Sequence, residues 1–104
     1  MTLFDEIKAT LSTEELLCQL AEECSELSKA ALKLRRVLDG ANPTPKTYDE
    51  CYDNLIEEWA DVELCVLLIN YKIHPTPCKL SEIINSIQYE KMTRWVKRLM
   101  EVYK

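Results

Sequence analysis

Two pairs of acidic residues are the side chains in this sequence best suited to chemistry. Glu23 with Glu26 and Glu58 with Asp61 are each three positions apart. On a helix this spacing turns two carboxylates the same way, about 5 to 6 Å apart. Oxygen ligands without His or Cys favour Mg²⁺ or Mn²⁺ over zinc, and Mg²⁺ usually keeps coordination positions for water and phosphate. The four carboxylates therefore predict a Mg²⁺ site.

Both pairs intrude on apolar helix faces. At about 100° per residue, Glu23 projects onto the stripe that contains Leu16 and Leu20, and Glu58 projects beside Leu55. Desolvation and like charge both penalise ionised carboxylates at such a seam, and a divalent cation removes the penalty. The plainer interpretation is a solvated acidic face, since E-x-x-E motifs are common on acidic helices. Two pairs on apolar faces weigh against it.

Helical periodicity predicts an all-α chain in which these pairs meet. The predicted helices cover residues 2–9, 13–38 and 48–73, and a further one starts at Ser81 with Glu82 and runs toward the C-terminus. Ser12 and Thr13 with Glu15 form a capping box for the first long helix, which Gly40 ends.

A second capping box, Thr47 with Glu50, starts the second long helix. At 1.5 Å per residue, both acidic pairs lie roughly 15 to 22 Å from the connecting loop. An antiparallel hairpin therefore brings the four carboxylates to one level. We expect Trp59 and Val62 in the buried arc of the second long helix.

Length and charge limit the function classes. The 104 residues suit a single domain over 1–104, and the net charge of −5 argues against a general nucleic-acid binder. The five cysteines include no C-x-x-C pair, which is typical of reduced cytosolic thiols. No signal-like N-terminus or membrane-spanning run is present in the sequence, so we expect a cytoplasmic protein that binds neither membrane nor polymeric nucleic acid.

Cations continue an apolar stripe in the last predicted helix. Ile83, Ile84 and Ile87 are followed on the same projected arc by three cations: Lys91, Arg94 and Arg98. Such a switch indicates an anionic partner, because Arg and Lys donors balance and grip phosphate oxygens. The alternative is an ordinary set of surface cations near a helix C-terminus, where the helix dipole favours them.

The motifs resemble those of a known family. Glu22-Glu23-x-x-Glu26, followed after 31 residues by Glu58-x-x-Asp61, is similar to the E-E-x-x-E and E-x-x-D signature of the all-α nucleoside triphosphate pyrophosphohydrolases, the MazG-like superfamily. The resemblance covers roughly residues 17–99. The gap between the motifs is longer than usual, and the Asn often found between the family's Lys and Arg is absent.

The resemblance implies site roles. Mg²⁺ would be held by Glu23, Glu26, Glu58 and Asp61, and Glu22 would either lie in the outer shell of the ion or orient water. Lys91 with either Arg94 or Arg98 would bind phosphates. The implied reaction is hydrolysis between the α and β phosphates, giving a nucleoside monophosphate and pyrophosphate, with Glu22 or Glu26 taking the proton of the water.

The sequence gives weaker signals for base recognition and for assembly than for the metal site. Aromatic candidates for a base pocket are Trp59, Tyr48 and Phe4, although large aromatics at helical spacing are more often core residues. The apolar arcs are wider than one partner helix can cover, which predicts an antiparallel helical bundle completed as a homodimer or homotetramer. Two other functions stay open: a phosphoribosyl-ATP pyrophosphohydrolase-like enzyme, and a noncatalytic helical interaction module.

Overall fold

Four helices make up the chain in a computed structural model that describes residues 1–40, 45–74 and 80–102. They are α1 (Leu3–Thr10), α2 (Thr13–Asp39), α3 (Tyr48–Ile73) and α4 (Leu80–Val102). The described residues contain no strand, so the predicted all-α class is confirmed. Within them, none of the helices combines the length and the apolar character that crossing a membrane requires.

The ends of the long helices follow their capping residues. Ser12 accepts from the Glu15 backbone N–H and Glu15 accepts from that of Ser12, both at 3.0 Å. Thr47 and Glu50 form the same reciprocal pair at the start of α3. Gly40 ends α2 with a φ of 66°, a left-handed conformation that costs glycine little. The capping boxes and the glycine stop agree with the sequence prediction.

Two helix starts differ from the sequence prediction. A third capping box, between Thr2 and Asp5, starts α1 at Leu3, and the sequence prediction did not include it. Ser81, expected to begin α4, already lies within the helix, which includes Leu80. The predicted break after α3 falls mostly on residues 75–79, which lie outside the described residues, as does Cys78.

An antiparallel hairpin of α2 and α3 forms the core. Its buried apolar side chains come from both helices: Leu16 and Ala30 from α2, and Cys51, Cys65 and Leu68 from α3. The expectation for Trp59 was wrong, because its side chain is 59% exposed and donates from Nε1 to Glu63 Oε2 at 3.0 Å. Trp59 lies about 100° around α3 from Glu58, which carries it past the edge of the seam with α2.

The short helix α1 packs against the far end of α3. Phe4 and Tyr71 meet edge to face, with ring centroids 5.6 Å apart and planes at 87°. Lys72 of α3 reaches across and donates from Nζ to the carbonyl of Lys8 at 2.6 Å and to that of Leu11. An ammonium group thus caps the carbonyl end of α1, where the helix dipole favours positive charge.

Helix α4 lies clear of the hairpin. Every side chain from Ser81 to Val102 is exposed, including Ile87 and Trp95. The radius of gyration is 17.7 Å, whereas about 13 Å is typical of a compact chain of this length. The single chain is therefore a helical hairpin with two appended helices, and a closed bundle would require further helices.

Candidate functional site

Three carboxylates from two helices converge at the hairpin seam. Glu23 of α2 and Glu58 and Asp61 of α3 each place one oxygen so that the three atoms lie within 4.8 Å of one another. These are three of the four residues that the sequence predicted would meet. Their convergence follows from the antiparallel hairpin, which sets equal distances from the loop opposite one another.

A hydrogen bond within α2 restrains the carboxylate of Glu23. Gln19 donates from Nε2 to Glu23 Oε1 at 2.7 Å, one turn earlier on the same helix. Glu23 and Glu58 are both half-buried, because the seam that shields them is lined by apolar neighbours such as Cys65. Gln19 was not predicted as a site residue, although its spacing of four positions before Glu23 is the sequence signal for such a bond.

Crowding changes the electrostatics of the cluster. Partial burial raises the pKa of Glu58, and the neighbouring charges of Asp61, Glu23 and Glu26 raise it further. Burial also raises the pKa of the Cys65 thiol, as do the charges of Glu23 and Asp61. The seam therefore disfavours negative charge in the absence of a compensating cation.

The other two acidic candidates lie around this cluster. Glu26 is exposed and accepts from Lys29 Nζ at 3.3 Å, yet its charge acts on Glu58. Glu22 is exposed and lines a shallow groove with Leu11 and Gln19 near the start of α2. The structure thus places Glu26 at the margin of the cluster and Glu22 on another side of the helix.

The predicted phosphate-binding cations lie elsewhere in the single chain. Lys91, Arg94 and Arg98 share one exposed surface of α4 with Trp95. The charges that raise the pKa of Glu58 are all carboxylates, so these cations do not offset the cluster within the described residues of one chain.

The three aromatic candidates do not line one pocket within a chain. Phe4 packs on Tyr71, Tyr48 stacks on Tyr52 with centroids 6.1 Å apart, and Trp59 is exposed between these two ends. Tyr48 and Tyr71 are separated along α3 by about 35 Å at 1.5 Å per residue. These three residues therefore do not form one base pocket within a single chain.

The donor set of the cluster suits a hard divalent cation. Two oxygens bound to one Mg²⁺ at about 2.1 Å are about 3 Å apart when adjacent and about 4 Å apart when opposite. Oxygens within 4.8 Å reach such positions by small side-chain adjustments. The raised pKa of Glu58 supplies a physical reason for cation binding, because a cation would relieve the repulsion that raises it.

Comparison of the chain with protein-family models, with curated proteins and with solved structures gives no match.

Proposed function

We propose that this chain is a Mg²⁺-dependent nucleoside triphosphate pyrophosphohydrolase that cleaves between the α and β phosphates. The observation that carries the proposal is the convergence of Glu23, Glu58 and Asp61 oxygens within 4.8 Å at a half-buried seam. Acidic residues seldom occupy a seam without a compensating charge. The resemblance of the two motifs to the MazG-like superfamily supplies the reaction.

The cluster has one electrostatic role in this proposal. Bound by Glu23, Glu58 and Asp61, Mg²⁺ (or Mn²⁺) would supply Lewis-acid polarisation of the phosphate and charge neutralisation of the pyrophosphate. Gln19 restrains Glu23, and the packing of α2 on α3 holds the three carboxylates at one level. Such preorganisation lowers the cost of gathering like charges in the reacting complex.

Proton removal from the attacking water falls to a neighbouring carboxylate. Glu26 acts on Glu58 electrostatically, whereas Glu22 lies in the groove near Leu11. We therefore assign the base role to Glu26, whose oxygen accepts the proton, and an orienting role to Glu22. Lys29 Nζ donates to Glu26 Oε1 at 3.3 Å.

Assembly is part of the proposal. Substrate phosphates need cationic donors, and Lys91 with Arg94 or Arg98 is the cationic set on α4. Because α4 lies clear of the hairpin, we propose that the active unit is a homodimer or homotetramer in which helices of several chains form an antiparallel bundle. The aromatic candidates Trp59, Tyr48 and Phe4 would then face a base only across such a contact.

Pyrophosphate release from a panel of nucleotides tests the reaction. The panel contains ribo- and deoxynucleoside triphosphates together with phosphoribosyl-ATP, which separates the two related hydrolases. We expect turnover with Mg²⁺, none with a chelator, and loss of turnover in Glu58→Ala. Glu57→Ala is the matched control, since Glu57 is the exposed neighbour on the same helix.

The noncatalytic alternative makes the opposite prediction. If the acidic cluster only tunes assembly, no nucleotide on the panel is hydrolysed and Mg²⁺ does not stabilise the fold. If the chain binds Mg²⁺ but hydrolyses none of the nucleotides, the proposed reaction is contradicted and the proposed metal site is retained.

A further inference from the structure

Two apolar surfaces of similar length remain uncovered in the chain. The first, the α3 ridge, consists of Tyr52, Ile56, Leu64 and Leu67, all exposed on the side of α3 that faces away from the carboxylate cluster. The second, the α4 stripe, consists of Ile84, Ile87, Trp95 and Val102. A helix in water gains most of its stability from packing such a face, and among the described residues every α4 side chain from Ser81 to Val102 is exposed.

Charge is distributed along the two surfaces in a complementary way. The first sixteen residues of α3 are acidic around the ridge, with Asp49, Asp53, Glu57 and Glu63, whereas its last ten residues contain no acid. The second half of α4 is basic, with Lys91, Arg94, Lys97 and Arg98, whereas its first half carries the isoleucines. An antiparallel arrangement places the basic half of α4 on the acidic half of α3.

A single register satisfies both the apolar and the charged matches. In two antiparallel helices, residue numbers increase along one helix as they decrease along the other. Setting Ile84 opposite Leu67 brings further matched residues opposite each other: Ile87 with Leu64, Trp95 with Ile56, and Arg98 with Asp53.

We infer that α4 of one copy docks antiparallel on the α3 ridge of a second copy, and that the exchange is reciprocal about a two-fold axis. Two equal contacts of this kind cover the α3 ridge and the α4 stripe of both chains. Such a closed, isologous pair of contacts is typical of homodimers. A second copy is favoured over the chain's own hairpin because α4 stands clear of that hairpin and the radius of gyration, 17.7 Å, exceeds the roughly 13 Å of a compact chain of this length.

The inference concerns assembly and does not rest on the proposed reaction. It assigns Arg98 to the interface, opposite Asp53, and the same register sets Arg94 opposite Glu57. If no nucleotide on the panel is hydrolysed, this contact is still testable, because it is measured by the molecular mass of the dimer and not by turnover.

A charge swap between two chains tests the exchange directly. Arg98→Asp and Asp53→Arg each place like charges across both contacts, so each alone should raise the dimer dissociation constant about tenfold or more. Mixed one to one, the two variants should form a heterodimer in which every contact is again matched. Light scattering after gel filtration reports the mass against twice the 12.1 kDa of one chain.

Controls separate the exchange from other arrangements. Lys33→Asp, a charge reversal at an exposed site of α2, should leave the mass unchanged. Rescue in an Asp53→Arg, Arg98→Asp double variant without rescue on mixing would show that α4 closes on its own chain and would overturn the inference. Dimers unaffected by either single variant would overturn it as well.

A measurement on the unaltered chain covers the case in which a variant fails to fold. Hydrogen exchange of the α4 amides should be protected at concentrations where the dimer forms and should become fast on dilution below the dissociation constant. A monomer at every concentration, or α4 exchange that does not change with dilution, would contradict the exchange.

Discussion

Glu23 of α2 and Glu58 of α3 hold carboxylate oxygens within 4.8 Å of each other and of Asp61. The two residues belong to different helices of a packed hairpin, which brings their side chains to one level of the seam. Their repulsion is relieved by a proton, as the raised pKa of Glu58 indicates, or by a cation. Competition between proton and cation at this seam underlies the first two predictions.

Mg²⁺ should raise the melting temperature of the chain. Binding to the folded state alone stabilises by about 1.4 kcal/mol at ten times the dissociation constant, which corresponds to several degrees for a chain of this size. Glu58→Gln and Asp61→Asn should abolish the shift, whereas Glu57→Gln should retain it. Thermal scans at matched ionic strength with KCl provide the comparison, and an equal shift in all four proteins would exclude a site at these residues.

Without metal, Glu58→Gln should melt at a higher temperature than the parent chain at neutral pH. The folded pKa of Glu58 lies above its ordinary value of 4.5, so ionisation penalises the folded state as the pH rises through that raised pKa. The gain from Glu58→Gln should therefore be present at neutral pH and vanish below about pH 4. Melting of both proteins in chelator across this range measures the difference.

Two other shifted carboxylates do not obscure this comparison. Hydrogen bonds from Ser12 lower the pKa of Glu15, and hydrogen bonds from Thr2 lower that of Asp5. Their stabilisation is lost as the pH falls through their lowered pKa values, and it is lost equally in both proteins. A gain that is the same at every pH would contradict the assigned role of Glu58.

Glu26→Gln should reduce the turnover number more than Glu22→Gln. Loss of a general base typically costs about 10²- to 10⁴-fold in rate, whereas loss of an orienting carboxylate costs less. The Mg²⁺-dependent melting shift should survive in both variants, because neither residue belongs to the converged three. Steady-state pyrophosphate release provides the rates, and a larger loss in Glu22→Gln would reverse the two assignments.

Lys72→Met should loosen α1 from the hairpin. The ammonium group bonds the carbonyls of Lys8 and Leu11, and a bond to a charged donor contributes about 1.5 to 3 kcal/mol. Hydrogen exchange in α1 should accelerate while the middle of α2 keeps its protection. Lys33→Met, on the exposed side of α2, is the control, and unchanged exchange in α1 would show that the Phe4–Tyr71 contact is sufficient.

Most of the local structure could be predicted from the sequence. The reciprocal caps at Ser12 and Thr47 and the stop at Gly40 depend on neighbours within four positions, so they are encoded locally. The matched height of the acidic pairs also follows from residue counts along two helices joined by a short loop. For these reasons the sequence alone predicts that the four carboxylates of the two pairs meet, and three of them, Glu23, Glu58 and Asp61, do lie together.

The tertiary structure decided how each helix is rotated about its axis and which elements pack together. The rotation of the helices turned Trp59 outward and left Glu26 at the margin of the cluster. The sequence could not predict this, because a projected apolar stripe does not show where the partner helix lies. Lys72 reaches the carbonyls of α1 across some sixty positions of sequence, and no local pattern encodes such a bond. The sequence by itself determined the helices, their ends and the level of the carboxylates, since these depend on near neighbours; packing alone decided which faces meet and which remain open to a second chain.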